Sequence, residues 1–207
     1  NPGSKLMVGF NRRFSPLTLK MKKLIKDLEE PKALTFTINS GFIPIDHWTQ
    51  NIKIGGGRLI GEACHFIDLM RHLVGYKITD FSVLNVETGN NFSSKEDKVS
   101  IIISFEDGSI GNINYLSNGG NSFPKERIEI FCKDAVLQND NFKTLKGFNW
   151  KGFKKQKLFF QNKGNYECVK AFVDSIEKGT DTPIPFDEII EVAETTIKIS
   201  NKIRNFS

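Results

Sequence analysis

A chain of 207 residues with 29 Lys and Arg against 24 Asp and Glu carries a formal charge of +5, scattered along its length and not gathered into a tail. Its composition, 39% hydrophobic and 26% charged, is that of a globular domain with a real core, which argues against a disordered polymer. No stretch approaches the roughly 18 apolar residues of a membrane span, and the opening NPGSKLMVGF lacks the charged-then-apolar layout of a signal peptide.

Cys64, Cys132 and Cys168 are odd in number, far apart and without a C-x-x-C pair. They predict reduced, buried thiols in a cytoplasmic protein, and neither a disulfide framework nor a zinc site. Basic residues interleaved with aromatics in WKGFKKQK, Trp150 to Lys157, read as a solvated loop or hairpin, because no helix-turn-helix, zinc-finger or RNP-like pattern accompanies them. Nucleic acid and membrane are therefore not expected partners.

In chain order, KLMVGF predicts a short buried strand that leads into NRRF. Ser15 as N-cap and Pro16 at the first helical position open a helix with Leu17, Met21, Leu24, Ile25 and Leu28 on one face, stopped by Pro31. ALTFTINSG alternates as a strand. GFIPIDHWTQNIKIGGG is irregular and long, the kind of loop that carries function or moves. A helix from near Arg58 to Gly75 follows. ITDFSVLNVET, DKVSIIISFEDGSIGNINYLS and ERIEIFCKDAVLQND read as strands, with hairpin turns at Glu106–Ser109 and Lys133–Asp134.

Two helices close the chain, one with Val169, Phe172, Val173 and Ile176 on a stripe, the other with Ile189, Val192, Ala193, Ile197 and Ile203. The architecture so predicted is α+β, a mainly antiparallel open sheet with helices packed on one face. Ile101, Ile103, Phe105, Ile110, Ile113, Ile128, Ile130 and Val136 are numerous for a plainly solvated second face. They predict self-association through the sheet, a mixed half-polar face being the other reading.

The chemistry concentrates in GGGRLIGEACHFIDLMRHLVG, Gly55 to Gly75. At about 100° per residue, Leu59, Ile60, Ala63, Phe66, Ile67, Met70, Leu73 and Val74 form one apolar stripe, and Gly61, His65, Asp68 and His72 lie nearly opposite. His65 is thus placed on the polar face, either simply solvated or part of a reaction site. Gly61 one turn earlier leaves space beside the imidazole, and Glu62 and Asp68 lie three residues away on either side, where a carboxylate would favour imidazolium and orient the ring. A metal held by His65, Asp68 and His72 is disfavoured, because histidines seven apart stand roughly 10 Å from each other along the axis. Nor is the triple glycine a phosphate loop: no G-x-G-x-x-G follows a strand, and no Walker pattern occurs.

VGFNRRFSP, then GGGRLIGEACHFIDLMRHLVG, then antiparallel strands and two closing helices resemble the C-terminal portion of the Gfo/Idh/MocA oxidoreductases, the glucose–fructose oxidoreductase and inositol dehydrogenase family. GFIPIDHW is similar to the branch fused behind an alcohol-dehydrogenase-like domain. The resemblance implies an N-terminal Rossmann domain binding NAD or NADP, with a Glu-Lys-Pro motif whose lysine helps catalysis; neither that motif nor the glycine fingerprint occurs here. It implies that residues 1–14 are the remnant of the last Rossmann strand and the junction, and that 15–207 form a substrate-binding and oligomerisation domain whose sheet faces a partner subunit.

The family's helix motif, G-G-G-x-x-x-D-x-x-x-H-x-x-D, is met by Gly55, Gly56, Gly57, His65 and Asp68, while Gly61 stands where the first aspartate is expected and Glu62 follows it. On this resemblance His65 is the catalytic proton acceptor or donor, with Glu62 and Asp68 beside it. Arg12 and Arg13 bind phosphate or carboxylate groups or form a structural salt bridge. Asp46, His47 and Trp48 meet the substrate from the loop, Trp48 stacking on a sugar ring or pinning the loop. The expectation is the C-terminal part of an NAD(P)-dependent oxidoreductase acting on a sugar or nucleotide-sugar hydroxyl, the alternative a non-catalytic carbohydrate-binding or dimerisation module of the same fold.

Overall fold

The computed structural model describes residues 5–86 and 96–205. Among them eight strands form one sheet: β1 (Ala33–Asn39), β2 (Ile78–Asn85), β3 (Lys98–Phe105), β4 (Ile110–Leu116), β5 (Glu126–Cys132), β6 (Ala135–Asp140), β7 (Thr144–Phe148) and β8 (Lys155–Lys157), in the order β2-β3-β4-β1-β5-β6-β7-β8. Only β1 and β4 run parallel; every other pair is antiparallel. Strand alternation decides which face is core, since successive side chains point to opposite sides. Leu34, Phe36 and Ile38 of β1 and Ile128 and Ile130 of β5 are buried, with polar or exposed residues between them. Both expected hairpins form, and the second turns on Lys133 and Asp134 at φ 47° and 53°, the left-handed pair that a two-residue loop requires. The end of ITDFSVLNVET, at 87–88, lies outside the described residues.

Four helices, α1 (Pro16–Ile25), α2 (Cys64–Val74), α3 (Asn165–Glu177) and α4 (Phe186–Asn205), accompany the sheet. α1 sets Leu17, Met21 and Ile25 into the core and ends six residues before Pro31, so proline is not what stops it. Ser15 precedes it but does not cap with its side chain, donating instead to the Asn162 carbonyl at 2.8 Å. α2 lies so close to β4 that a β-carbon at Gly111 would run into Met70 Sδ.

Three further expectations need correction. KLMVGF is not a strand: no described strand lies beside it, Leu6 and Val8 are exposed, and only Phe10 is buried. Of the expected α3 stripe Val169, Val173 and Ile176 are exposed and Phe172 is only half-buried, while the smaller Cys168 and Ser175 are what the helix buries. On α4, Ala193 and Ile197 are exposed and the inward positions include Thr196 and Ser200, whose hydroxyls bond the Val192 carbonyl and Glu96.

The apolar strand residues cited for self-association mostly lie under the helices: Ile101, Ile103, Phe105, Ile113, Ile128 and Ile130 are buried within this chain. The opposite face is mixed. One row across it runs Ile102, Asn112, Thr35, Glu129, Gln138, Lys146, and the row nearest one end runs Ser104, Ile110, Ala33, Phe131, Val136, Phe148. Of the apolar set expected there, Ile110 and Val136 are present.

Candidate active site

The triple glycine enters α2 through tightly held backbone. Gly56 and Gly57 have φ of +75° and +86°, a region side chains disfavour. The Gly56 carbonyl accepts from Arg204 Nη2 at 2.6 Å, and the Glu96 carboxylate fills the space where a Gly57 side chain would stand. Glu96 in turn accepts from Ser200 Oγ at 2.6 Å and Arg204 Nε at 2.7 Å, which ties the loop to α4. A dinucleotide pyrophosphate brought to these glycines would meet that carboxylate, so this loop does not fit the cofactor as its holder.

Leu59–Ala63 form a π-helical turn before α2 proper, a local widening that recurs at functional sites. It sets Glu62 against three donors. Arg58 Nη2 donates at 3.0 Å and Tyr115 Oη at 2.6 Å to Oε2, and Lys125 Nζ donates at 2.8 Å to Oε1. Arg58 Nε also donates to Tyr115 Oη at 2.8 Å. Burial raises the Glu62 pKa, but the hydrogen bonds from Lys125 and Tyr115 and the charges of Lys125 and Arg58 outweigh it and hold the carboxyl at about 2. Glu62 is a fixed anion and a poor base.

His65 is half-buried, with Phe10 edge-on to its ring at 5.7 Å between centroids. Its Nδ1 is buried without a hydrogen-bond partner. Burial, reinforced by the Arg12 charge, pushes the imidazole down to about 4 against the pull of Glu62 and Glu126. The expected carboxylate partner is therefore missing: neither Glu62 nor Asp68 bonds the ring, and the imidazole is neutral at physiological pH. Space beside it is open, since a β-carbon at Gly61 would meet only the Gly55 carbonyl oxygen, at 3.8 Å.

The remaining positions divide. Asp68 is fully buried and not on a wet face; Arg13 grips both its oxygens, Nε at 2.9 and 2.8 Å and Nη2 at 2.6 Å, and passes Nη1 to Glu188 at 2.5 Å. Burial pushes the Asp68 carboxyl up to about 6, yet the arginine fork leaves it ionised at neutral pH. Arg12, stacked on Phe66 at 4.5 Å, donates through Nη2 to Glu126 at 2.8 Å, and Lys163 Nζ meets the same carboxylate at 2.8 Å. Both arginines thus form buried salt bridges, one of the two roles open to them.

His72, the last of the supposed polar stripe, has Nε2 buried and unpartnered; burial and the cations Arg13, Lys22 and Arg71 push it down to about 3. Asp46, His47 and Trp48 are exposed on the loop, whose backbone at Trp48 and Thr49 packs against Gly55, and the exposed Trp48 ring does not pin it. Gln50 does, through Nε2 to Asp97 at 3.1 Å and the Ile43 carbonyl at 3.2 Å. A separate cavity of about 350 Å³, lined by Leu24, Leu28, Cys132 and Trp150 among others, contains none of the residues above.

Two neutral histidines make a direct check. At pH 5.5 the imidazole nitrogens of His65 and His72 should still show neutral chemical shifts by NMR. A midpoint near the ordinary value of about 6.5 for either ring would mean that water or a carboxylate reaches it.

Sequence reasoning missed Arg58, Tyr115, Lys125, Glu126 and Lys163. One signal was present: in ERIEIFC, Glu126 shares the inward phase of Ile128 and Ile130, and a carboxylate on a core face needs a buried cation.

Solved structures define the class. An oxidoreductase domain protein from Kribbella flavida matches all of this chain and 65% of its own at a TM-score of 0.81 and 18% identity. A UDP-N-acetylglucosamine 3-dehydrogenase from Acidithiobacillus ferrooxidans matches 98% of this chain and 62% of its own at 0.77 and 16%. The fold is that of the α/β part of such oxidoreductases. Residues 22–157 match the oxidoreductase family C-terminal alpha/beta domain of the Gfo/Idh/MocA type, and the chain belongs to that family. Inositol 2-dehydrogenase from Rhizobium meliloti (strain 1021) is 25% identical over 191 residues, 86% of this chain and 56% of that protein. An uncharacterised oxidoreductase of Bacillus subtilis (strain 168) is 27% identical over 145 residues, 67% of this chain and 41% of its own. The chain thus spans about half the length of these relatives.

Proposed function

We propose that this chain is the substrate-binding and dimerisation part of an NAD(P)-dependent oxidoreductase that acts on a hydroxyl of a sugar or nucleotide sugar. The observation that carries the reading is His65, a neutral imidazole on the family's histidine position with open space at Gly61 one turn away. Oxidation of a carbinol removes a hydride from carbon and a proton from oxygen; the proton half falls to His65, which needs no prior deprotonation to accept it. We assign the cofactor to a nucleotide-binding domain outside this chain; the Gly55–Gly57 loop, filled by Glu96, offers it no cradle. Residues 1–14 are the junction to that domain. We place it against the outward stripe of α3 with Leu6 and Val8, apolar surface that a folded neighbour would cover. A second subunit packs on the open sheet face through the row from Ile110 to Phe148. The free thiols suit a reducing cytoplasm.

Glu62, already holding three donors, leaves His65 without a carboxylate relay, and this favours the second reading, a carbohydrate-binding module without redox chemistry. The two separate in one screen, run on the protein that carries this chain with its nucleotide domain. Neutral sugars, sugar acids, sugar phosphates and nucleotide sugars are offered with NAD⁺ and NADP⁺ while reduced nicotinamide is followed by absorbance. Reduction with at least one of them is the expected result; sugar binding with no reduction by any would establish the module instead.

A further inference from the structure

Resting on that reading, we propose that the substrate carries an anionic group, a carboxylate or a phosphate, and that Lys125 and Lys163 select it. Donors and acceptors around His65 do not balance. Glu62 accepts from Arg58, Tyr115 and Lys125, and Glu126 accepts twice from Arg12 and once from Lys163. Each carboxylate has therefore filled three of its roughly four lone-pair sites. The two lysines have each placed one donor on a carboxylate, and an ammonium has about three. Neither is sealed in: the Lys125 side chain is 41% exposed and that of Lys163 21%.

The charges are unequal as well. Arg12, Arg58, Lys125 and Lys163 face Glu62 and Glu126. When Asp97, whose charge reaches Arg58, is added, four cations still meet three carboxylates, and His65 contributes no charge. Lys125 and Glu126 are consecutive at the start of β5, and Lys163 bonds Glu126, so both ammonium groups belong to one corner of the sheet.

The hydroxyls of a neutral polyol can also accept from these lysines, but a polyol brings no charge. A carboxylate or phosphate brings only acceptors and a negative charge, the complement of spare donors and excess cation. Lys125 and Lys163 are thus specificity residues, holding one end of a substrate whose hydroxyl reaches His65.

Calorimetric titration of the protein that carries this chain with its nucleotide domain tests this with glucose, glucuronate, glucose 6-phosphate and UDP-N-acetylglucosamine. At least one anionic probe should bind about tenfold or more tightly than glucose, about 1.4 kcal/mol, with the advantage shrinking as salt rises. Tightest binding of glucuronate would identify the group as a carboxylate, and of the other two as a phosphate. Lys125→Met and Lys163→Met should each reduce the advantage several-fold, and the arginine variants should restore part of it. Glucose binding as tightly as all three anions would overturn the proposal without any variant, and so would an advantage that survives both methionine substitutions. Oxidation of neutral sugars with no preference for anionic ones sinks it while the oxidoreductase reading stands. Neither binding nor cofactor reduction with any sugar sinks both.

Discussion

Asp68→Ala is expected to lower the unfolding free energy by about 3–5 kcal/mol, the cost of removing one partner from a buried ion pair. For a domain of this size that corresponds to a drop of roughly 6–20 °C in Tm. Arg13 would then remain in the interior, 4% exposed, with Glu188 as its remaining carboxylate. The pair joins three elements: the turn Asn11–Phe14 supplies Arg13, α2 supplies Asp68 and α4 supplies Glu188. Arg71 extends the network with Nε to Glu191 at 3.0 Å, and the Ile78 backbone N–H donates to the same carboxylate at 2.5 Å.

Because the loss comes from a buried arginine left with Glu188 alone and not from the missing contact, Arg13→Met combined with Asp68→Leu should recover much of it. Urea denaturation of Arg13→Met, Asp68→Leu and the double variant gives the cycle, with Asp68→Ala measured beside them. A loss below about 1 kcal/mol for Asp68→Ala is the figure for a solvated pair, and would mean that water enters between α2 and its cover.

This pair also shows where the amino-acid pattern stops being informative. The apolar stripe of α2 was readable because hydrophobic spacing reports which side of a helix meets the sheet, and Phe66, Ile67, Met70, Leu73 and Val74 are all buried. Spacing is silent on what covers the opposite side. There the cover is charge matched to charge: Asp68 meets an arginine 55 residues earlier in the chain, so the buried polar stripe looks, in sequence, like a wet one.

The same limit explains α3. Its outward apolar stripe has the spacing of a core face, and nothing local distinguishes a face that meets this sheet from one that does not. Strands β1 to β6 and their turns were legible, since alternation and a Lys133–Asp134 turn are properties of neighbouring residues, whereas β7 was not read as a strand and KLMVGF was read as one. The π-turn, and the hydrogen bond from the Tyr115 hydroxyl of β4 to Glu62 beside it, were not legible.

His65→Ala is expected to lower kcat of the proposed sugar oxidation about 10²–10⁴-fold, the usual contribution of a positioned acid–base group. The size follows from the state in which the fold keeps the imidazole. With its pKa near 4, His65 is neutral from pH 5 to 8, able to accept the hydroxyl proton throughout. Activity should therefore be present above pH 4 and be lost as the pH falls through that value, with no acid limb at the ordinary histidine value of about 6.5. Removing the ring also removes its edge contact with Phe10, so the variant needs a control that separates chemistry from packing. His65→Gln keeps a polar side chain of similar reach without the basic nitrogen, and should lose kcat as severely while melting within a few degrees of the parent. Normal turnover by either variant on the best substrate would remove His65 from the reaction. An acid limb that shifts to about pH 6.5 in the parent would instead show that the imidazole meets solvent or a carboxylate when substrate is bound, and that its role begins from a different protonation state.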